Sequence, residues 1–177
     1  PLPPPSGGPG APMPPGAANV AIGDIVVSDV DTGETITATL TLANTATGSL
    51  TATSGNGETY TPATGVWTVT GSVAAVNAAL AAVAFVPATD NDVDTTVSTQ
   101  IRDAAGTGPA AGVITLDVTP VNDAPTATNL TQTVTYTEGA ASVAIGDIVV
   151  SDVDTGETIT ATLTLANTAT GSLTATS

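Results

Sequence analysis

The sequence predicts an all-β, antiparallel sandwich fold arranged in tandem, and three observations carry that prediction. Apolar residues and threonines alternate over several short runs, the pattern of strands with one dry and one wet face. Glycine, asparagine and serine cluster between those runs, where connections must turn the chain. Residues 20–54, VAIGDIVVSDVDTGETITATLTLANTATGSLTATS, return without a change as residues 143–177, an offset of 123 positions. That period is far longer than a solenoid repeat and matches a small domain, so each repeat is expected to be a domain of its own. Identity reaching the threonines of the wet face exceeds what folding requires. Recent duplication explains it better than a shared active site.

Taken in order, residues 1–18, PLPPPSGGPGAPMPPGAA, hold too many prolines for helix or sheet and too few apolar side chains for a core. They are expected to be a spacer, partly polyproline II. Ile36, Ala38, Leu40 and Leu42 then alternate with Thr35, Thr37, Thr39 and Thr41, and threonine suits the solvent face because its β-branch fits the pleat. The same alternation sets Trp67 and Val69 against Thr68 and Thr70, and recurs at Val97–Ile101 and at Ile114, Leu116 and Val118. Turn chemistry separates these runs at Thr47-Gly48-Ser49, Ser54-Gly55-Asn56-Gly57, Thr64-Gly65 and Gly106-Thr107-Gly108-Pro109. One segment departs from the pattern. In VAAVNAALAAV, residues 73–83, Val73, Val76, Leu80 and Val83 fall at helical spacing among alanines, which predicts a short helical turn crossing between sheets.

Composition narrows the chemistry. The 177 residues include 16 acidic side chains and one basic one, Arg102, for a formal charge of −15, with no histidine, lysine or cysteine. Nucleic acid and anionic membranes bind clustered Lys and Arg, so neither is an expected partner. No apolar run reaches the roughly 18 residues that span a bilayer, so membrane insertion is not expected. A nucleophile paired with one of the usual strong bases cannot be assembled, and transition metals lose their preferred N and S ligands. Hard cations held by oxygen are still compatible with this inventory. The chain therefore reads as a non-enzyme. Aromatics make up only 2% of residues, which leaves a small aliphatic core and few platforms for a sugar.

Several motifs point to a family. Ile25-Val26-Val27-Ser28-Asp29-Val30-Asp31, followed by a strand, is similar to the B strand and DxD loop of cadherin-type repeats. Residues 113–123, VITLDVTPVND, closing on Ala124-Pro125, resemble that family's last strand and its interdomain linker. Thr137-Glu138-Gly139-Ala140 is similar to the early-strand glutamate motif, and Ile101-Arg102-Asp103-Ala104-Ala105-Gly106 to the turn between the final strands. Together with VNAALAAVAFVP, these motifs look most like the bacterial cadherin-like repeats of large secreted adhesins, and the resemblance runs from Val20 to the end.

The resemblance implies seven-stranded Greek-key, Ig/cadherin-like β-sandwiches in tandem. Residues 19–118 form one repeat, 119–125 the interdomain linker, and 126–177 the N-terminal half of a second, incomplete repeat. It also implies calcium at the joint. The residues carried over are Asn122 and Asp123 of the linker, Asp152 and Asp154 of the following DxD loop, Asp90 and Asp92 with Asp94 on the first repeat, and Asp103 to complete the shell. Asp29 and Asp31 would serve a joint on the N-terminal side, and Glu138 is the early-strand ligand. Calcium takes six to eight oxygens, which clustered Asp and Asn provide. The first repeat has Pro15 where the second has Glu138, so weaker calcium binding is expected at the 119–125 joint than between complete repeats.

The second repeat stops at Ser177 and lacks counterparts of residues 55–118, so it is expected not to close a sandwich by itself. Either the sequence is a window on a longer array, or residues 126–177 of one molecule dock on residues 55–118 of the next and build an open filament. The functional expectations follow. The first is a structural module of an extracellular or cell-surface bacterial adhesin, giving reach and calcium-dependent stiffness, with its neighbours in the array as partners. The second is a filament subunit with identical chains as partners. Less favoured are a carbohydrate-binding accessory module and a carboxylate-pair hydrolase. Chain mass in solution separates the first two.

Overall fold

A computed structural model of the chain describes residues 19–31 and 33–174; the spacer expected at 1–18 lies outside them, as does Pro15. The chain divides into two compact units, with the boundary between Val121 and Asn122. Among the described residues it is an all-β protein with one short α-helix and three antiparallel sheets.

In the first unit, five strands form one sheet in the order β4 (Thr59–Thr61), β5 (Val66–Gly71), β2 (Ile36–Leu42), β7 (Thr95–Arg102) and β8 (Gly112–Leu116). Three others form a second sheet in the order β1 (Val20–Ala21), β6 (Ala84–Pro87) and β3 (Gly48–Leu50). The central strand is the one with the most complete alternation. In β2 the four residues Ile36, Ala38, Leu40 and Leu42 are buried, while the threonines between them are only half-buried. Leu40 stands opposite Trp67 of β5 and Thr99 of β7, so a single side chain anchors three strands. Inward residues of both sheets, Leu50 and Phe85 from one and Trp67, Val69 and Val97 from the other, share a single core with Val76 and Leu80. Burying a Leu- or Val-sized side chain stabilises by about 1.5–3 kcal/mol, so this aliphatic layer is the main favourable term.

The segment that departs from the alternation is α1 (Val73–Ala82), which carries the chain from β5 in one sheet to β6 in the other. Ser72 caps it by accepting a hydrogen bond from the Ala75 amide at 3.3 Å. Alanine favours the helix, and Val76, Ala79 and Leu80 form its buried face. Asn77, on the same helix, ties down the strandless stretch before β2. Its Oδ1 accepts from the Val27 amide at 2.8 Å, and its Nδ2 donates to the Val27 carbonyl at 2.9 Å.

Two glycines are required by geometry. A Cβ on Gly48 would sit 2.3 Å from the Val86 carbonyl oxygen and 2.7 Å from the Phe85 ring, so only hydrogen fits where β3 meets β6. Gly65, at φ +68°, makes the hairpin between β4 and β5, and its carbonyl accepts from the Leu42 amide.

The second unit is sparser. Two short strands, β9 (Thr126–Ala127) and β10 (Val150–Ser151), pair antiparallel, and a single 3-10 turn spans Thr168–Thr170. Residues 159–165 repeat β2 letter for letter, yet they form no strand and are mostly exposed. Strand structure needs a neighbour, and the neighbours of β2 are β5 and β7 of the first unit.

Candidate functional site

The acidic loops singled out by the motifs are organised by their own backbone. In the first unit the Asp29 carboxylate accepts from the Asp31 amide at 2.9 Å. In the second, the equivalent Asp152 carboxylate accepts from the Asp154 amide at 3.1 Å. Both are short Asx turns, the conformation these residues favour in loops. The second loop goes further: Asp154 Oδ2 accepts from the amide of Asp123 at 2.7 Å, and the Asn122 amide group donates to the Asp123 carbonyl at 2.8 Å. Asn122, Asp123, Asp152 and Asp154 are thus brought into one hydrogen-bonded cluster, with Asp123, Asp152 and Asp154 half-buried.

The other candidates stand elsewhere. Glu138 is exposed in a turn closed by the Ala140 amide on the Thr137 carbonyl. Asp90 is exposed after β6 at φ +53°, followed by a half-buried Asp92. Asp94 binds the Val118 amide at 2.7 Å and so fastens the end of β8. Asp103 holds the β7–β8 turn, accepting from the Thr107 hydroxyl and, at 2.8 Å, from the Thr107 amide. These donors, the hydroxyl foremost, keep its carboxyl below the usual range. The candidate ligands offer carboxylate and amide oxygens with no nitrogen or sulfur ligand, a set that fits a hard cation such as calcium. Among the described residues, no three acidic side chains converge into a metal-holding group.

Sequence reasoning passed over two features. Glu58 lies over the Ser54–Asn56 turn. Its carboxylate accepts from the amides of Ser54, Gly55 (3.2 Å) and Asn56 (3.0 Å). The contact with Ser54, followed by these amides, lowers its pKa to about 2. A glutamate immediately after a Ser-Gly-Asn-Gly turn was the available signal.

The second feature is a groove of about 280 Å3 on the open side of the first unit, between the edge strands β1 and β8. Val20, Ile22, Phe85, Thr95, Ile114 and Leu116 are among its lining residues. Val20, Ile114 and Leu116 face the core yet are only half-buried, in contrast to the inward residues of β2. The hydroxyl of Thr95 is buried here without a hydrogen-bond partner, a costly state for a polar group. No alternation pattern reports such a groove, because it depends on which strands end up at the sheet edges.

No family model matches the chain, and no curated protein or solved structure is significantly similar to it.

Proposed function

We propose that the chain is a structural repeat module of an extracellular bacterial fibre or adhesin. In this reading it is built from cadherin-like, seven-stranded Greek-key sandwiches and stiffened by calcium. The observation that carries the reading is the hydrogen bond from the Asp123 amide to Asp154. It brings the linker backbone at Asp123 against the DxD loop, which supports a shared role for linker and loop. Asn122, Asp123, Asp152 and Asp154 would hold the ion; bound there, it would neutralise the clustered carboxylates and lock linker to loop. Exact duplication on a strongly acidic chain also suits a spacer that gains length by repetition. The core takes Trp67 and Phe85, and Tyr60 is half-buried against it, which leaves Tyr136 as the exposed aromatic and weakens the carbohydrate-binding reading.

Thermal unfolding in calcium against chelator tests the assignment, since a ligand bound only to the folded state raises the midpoint. At calcium a hundredfold above its Kd, the expected gain is about 2.7 kcal/mol. It should shrink in an Asp152→Asn, Asp154→Asn variant. An unchanged midpoint would remove the metal from the reading.

A further inference from the structure

We infer that Asn56 is a site of spontaneous deamidation: the Gly57 amide nitrogen displaces ammonia from the Asn56 side chain, and the carboxylate left behind unfastens the 54–58 turn. The site shares no residue with the acidic cluster assigned to calcium.

The nucleophile is the one amide that the turn leaves free. Glu58 accepts from the amides of Ser54, Gly55 (3.2 Å) and Asn56 (3.0 Å), and Ser54 Oγ accepts from the Asn56 amide at 3.2 Å. Among the described residues, no protein group accepts from the amide of Gly57. Gly57 is exposed at φ +87°, and a Cβ placed on it would meet nothing within 4 Å. Solvent therefore reaches that N–H, and no side chain crowds the nitrogen as it closes on its neighbour. Asn56 is also the one asparagine of the sequence that a glycine follows. Asn77, by contrast, is held at both ends of its side-chain amide by Val27 and is followed by Ala78 within α1.

Water is the only co-reactant. Hydroxide takes the proton from the Gly57 nitrogen, which bonds to Asn56 Cγ and closes a succinimide ring. The Cγ–Nδ2 bond breaks, and Nδ2 leaves as ammonia with a proton from water, which restores the hydroxide. Water then adds to one of the two ring carbonyls and breaks its bond to nitrogen. Opening on the side-chain carbonyl gives aspartate at position 56, and opening on the main-chain carbonyl gives isoaspartate. Nothing is oxidised or reduced.

Ser54 sets the pace. The Asn56 Nδ2 donates to Ser54 Oγ at 2.9 Å and to the Ser54 carbonyl at 3.4 Å. These bonds hold the side chain back toward Ser54, and it must let go of them before Cγ turns to the Gly57 nitrogen. The product inverts the same contacts. A carboxylate has no N–H to offer the Ser54 carbonyl. It also places a second negative charge beside Glu58, whose carboxyl is held low by Ser54 and the turn amides. Lost donors and like charge both loosen the turn, and isoaspartate lengthens its backbone by a methylene. The chain enters β4 at Thr59, directly after Glu58, and β4 is an edge strand paired with β5 alone. The loosening therefore falls on that edge, while the β5–β2–β7 centre keeps its partners.

The test incubates the full chain at neutral and mildly alkaline pH and maps its peptides for an acid in place of an amide and for isoaspartate. Conversion is expected at Asn56 ahead of every other asparagine, faster at the higher pH, with isoaspartate among the products. Ser54→Ala should speed it roughly fivefold, the factor carried by one lost hydrogen bond. Asn56→Asp, which installs the product charge directly, should accelerate amide exchange severalfold across residues 54–61. Trp67 fluorescence should stay unchanged in both variants, showing that the core of the first unit is intact. A folded chain that keeps the Asn56 amide, under conditions in which the urea-unfolded chain loses it, overturns the proposal. Conversion spread evenly over the asparagines does so too, as does a Ser54→Ala chain no faster than the parent. Unchanged exchange in Asn56→Asp overturns the unfastening of the turn.

Discussion

Leu40 is fully buried at the centre of a five-stranded sheet, whereas Leu163, in the same sequence 123 positions later, is 52% exposed on no strand. The two regions, 20–51 and 143–174, differ in what surrounds them and in no residue. Their turns are nevertheless alike. Asn44 accepts from the Ala46 amide at 3.0 Å, and Asn167 from the Ala169 amide at 3.1 Å; the hydroxyls of Thr47 and Thr170 each donate 2.7 Å to the asparagine carbonyl three residues back. The DxD loops repeat their Asx turn as well. Contacts that close over two or three residues form in both copies. The strand, whose hydrogen bonds come from residues 66–71 and 95–102, forms in one. Local hydrogen bonding is thus carried by the sequence wherever it sits, while β structure is conferred by a partner.

The contrast can be broken most strongly at its centre. Leu40→Ala should cost about 2–5 kcal/mol by opening a cavity against Trp67, and Leu163→Ala less than about 0.5 kcal/mol. Urea unfolding followed by Trp67 fluorescence reads both. Equal effects would mean that the second copy is packed in solution like the first. Gly48→Ala comes next, at about 1–3 kcal/mol, because the new methyl collides with the Val86 carbonyl and the Phe85 ring. Its counterpart Gly171 has open space around it but shares the positive φ, at +155°, so Gly171→Ala should cost only the backbone strain, less than Gly48→Ala. Asn77→Ala removes both bonds to Val27 and should cost about 1–2 kcal/mol. Amide exchange at Val27 should accelerate as a result.

The smallest effect is expected from acid. In the fold the Glu58 carboxyl is held down at about 2, below its ordinary 4.5. Its contribution is therefore complete above pH 4.5 and lost as pH falls from 4.5 toward 2, and Asp103 acts in the same direction. Glu58→Gln should flatten that part of the stability profile of the first unit. A parallel profile would show that the carboxylate does not hold the 54–56 turn.

Much of the first unit was legible in the sequence. The alternation of residues 36–42 and 66–70 gives the strands and their buried faces, and the break in that alternation at 73–83 marks the helix. The DxD loops were legible as acidic loops whose Asx turns recur in both copies. The roles of Asp94 and Asp103 were not legible, because a carboxylate that fastens a turn and one that waits for a cation look identical as letters. Nor was the half-burial of Ile114 and Leu116, which share the alternation of β2 but occupy an edge.

By itself the sequence determined what is short-ranged or compositional: the duplication, the acidic oxygen-only chemistry, the Asx turns, the helix and the period-two faces. The tertiary structure alone decided which copy of an identical segment becomes a strand, which strands are edges and where the groove opens. The physical reason is that a turn satisfies its own backbone, whereas a strand leaves its amides and carbonyls for a neighbour that only the fold can bring.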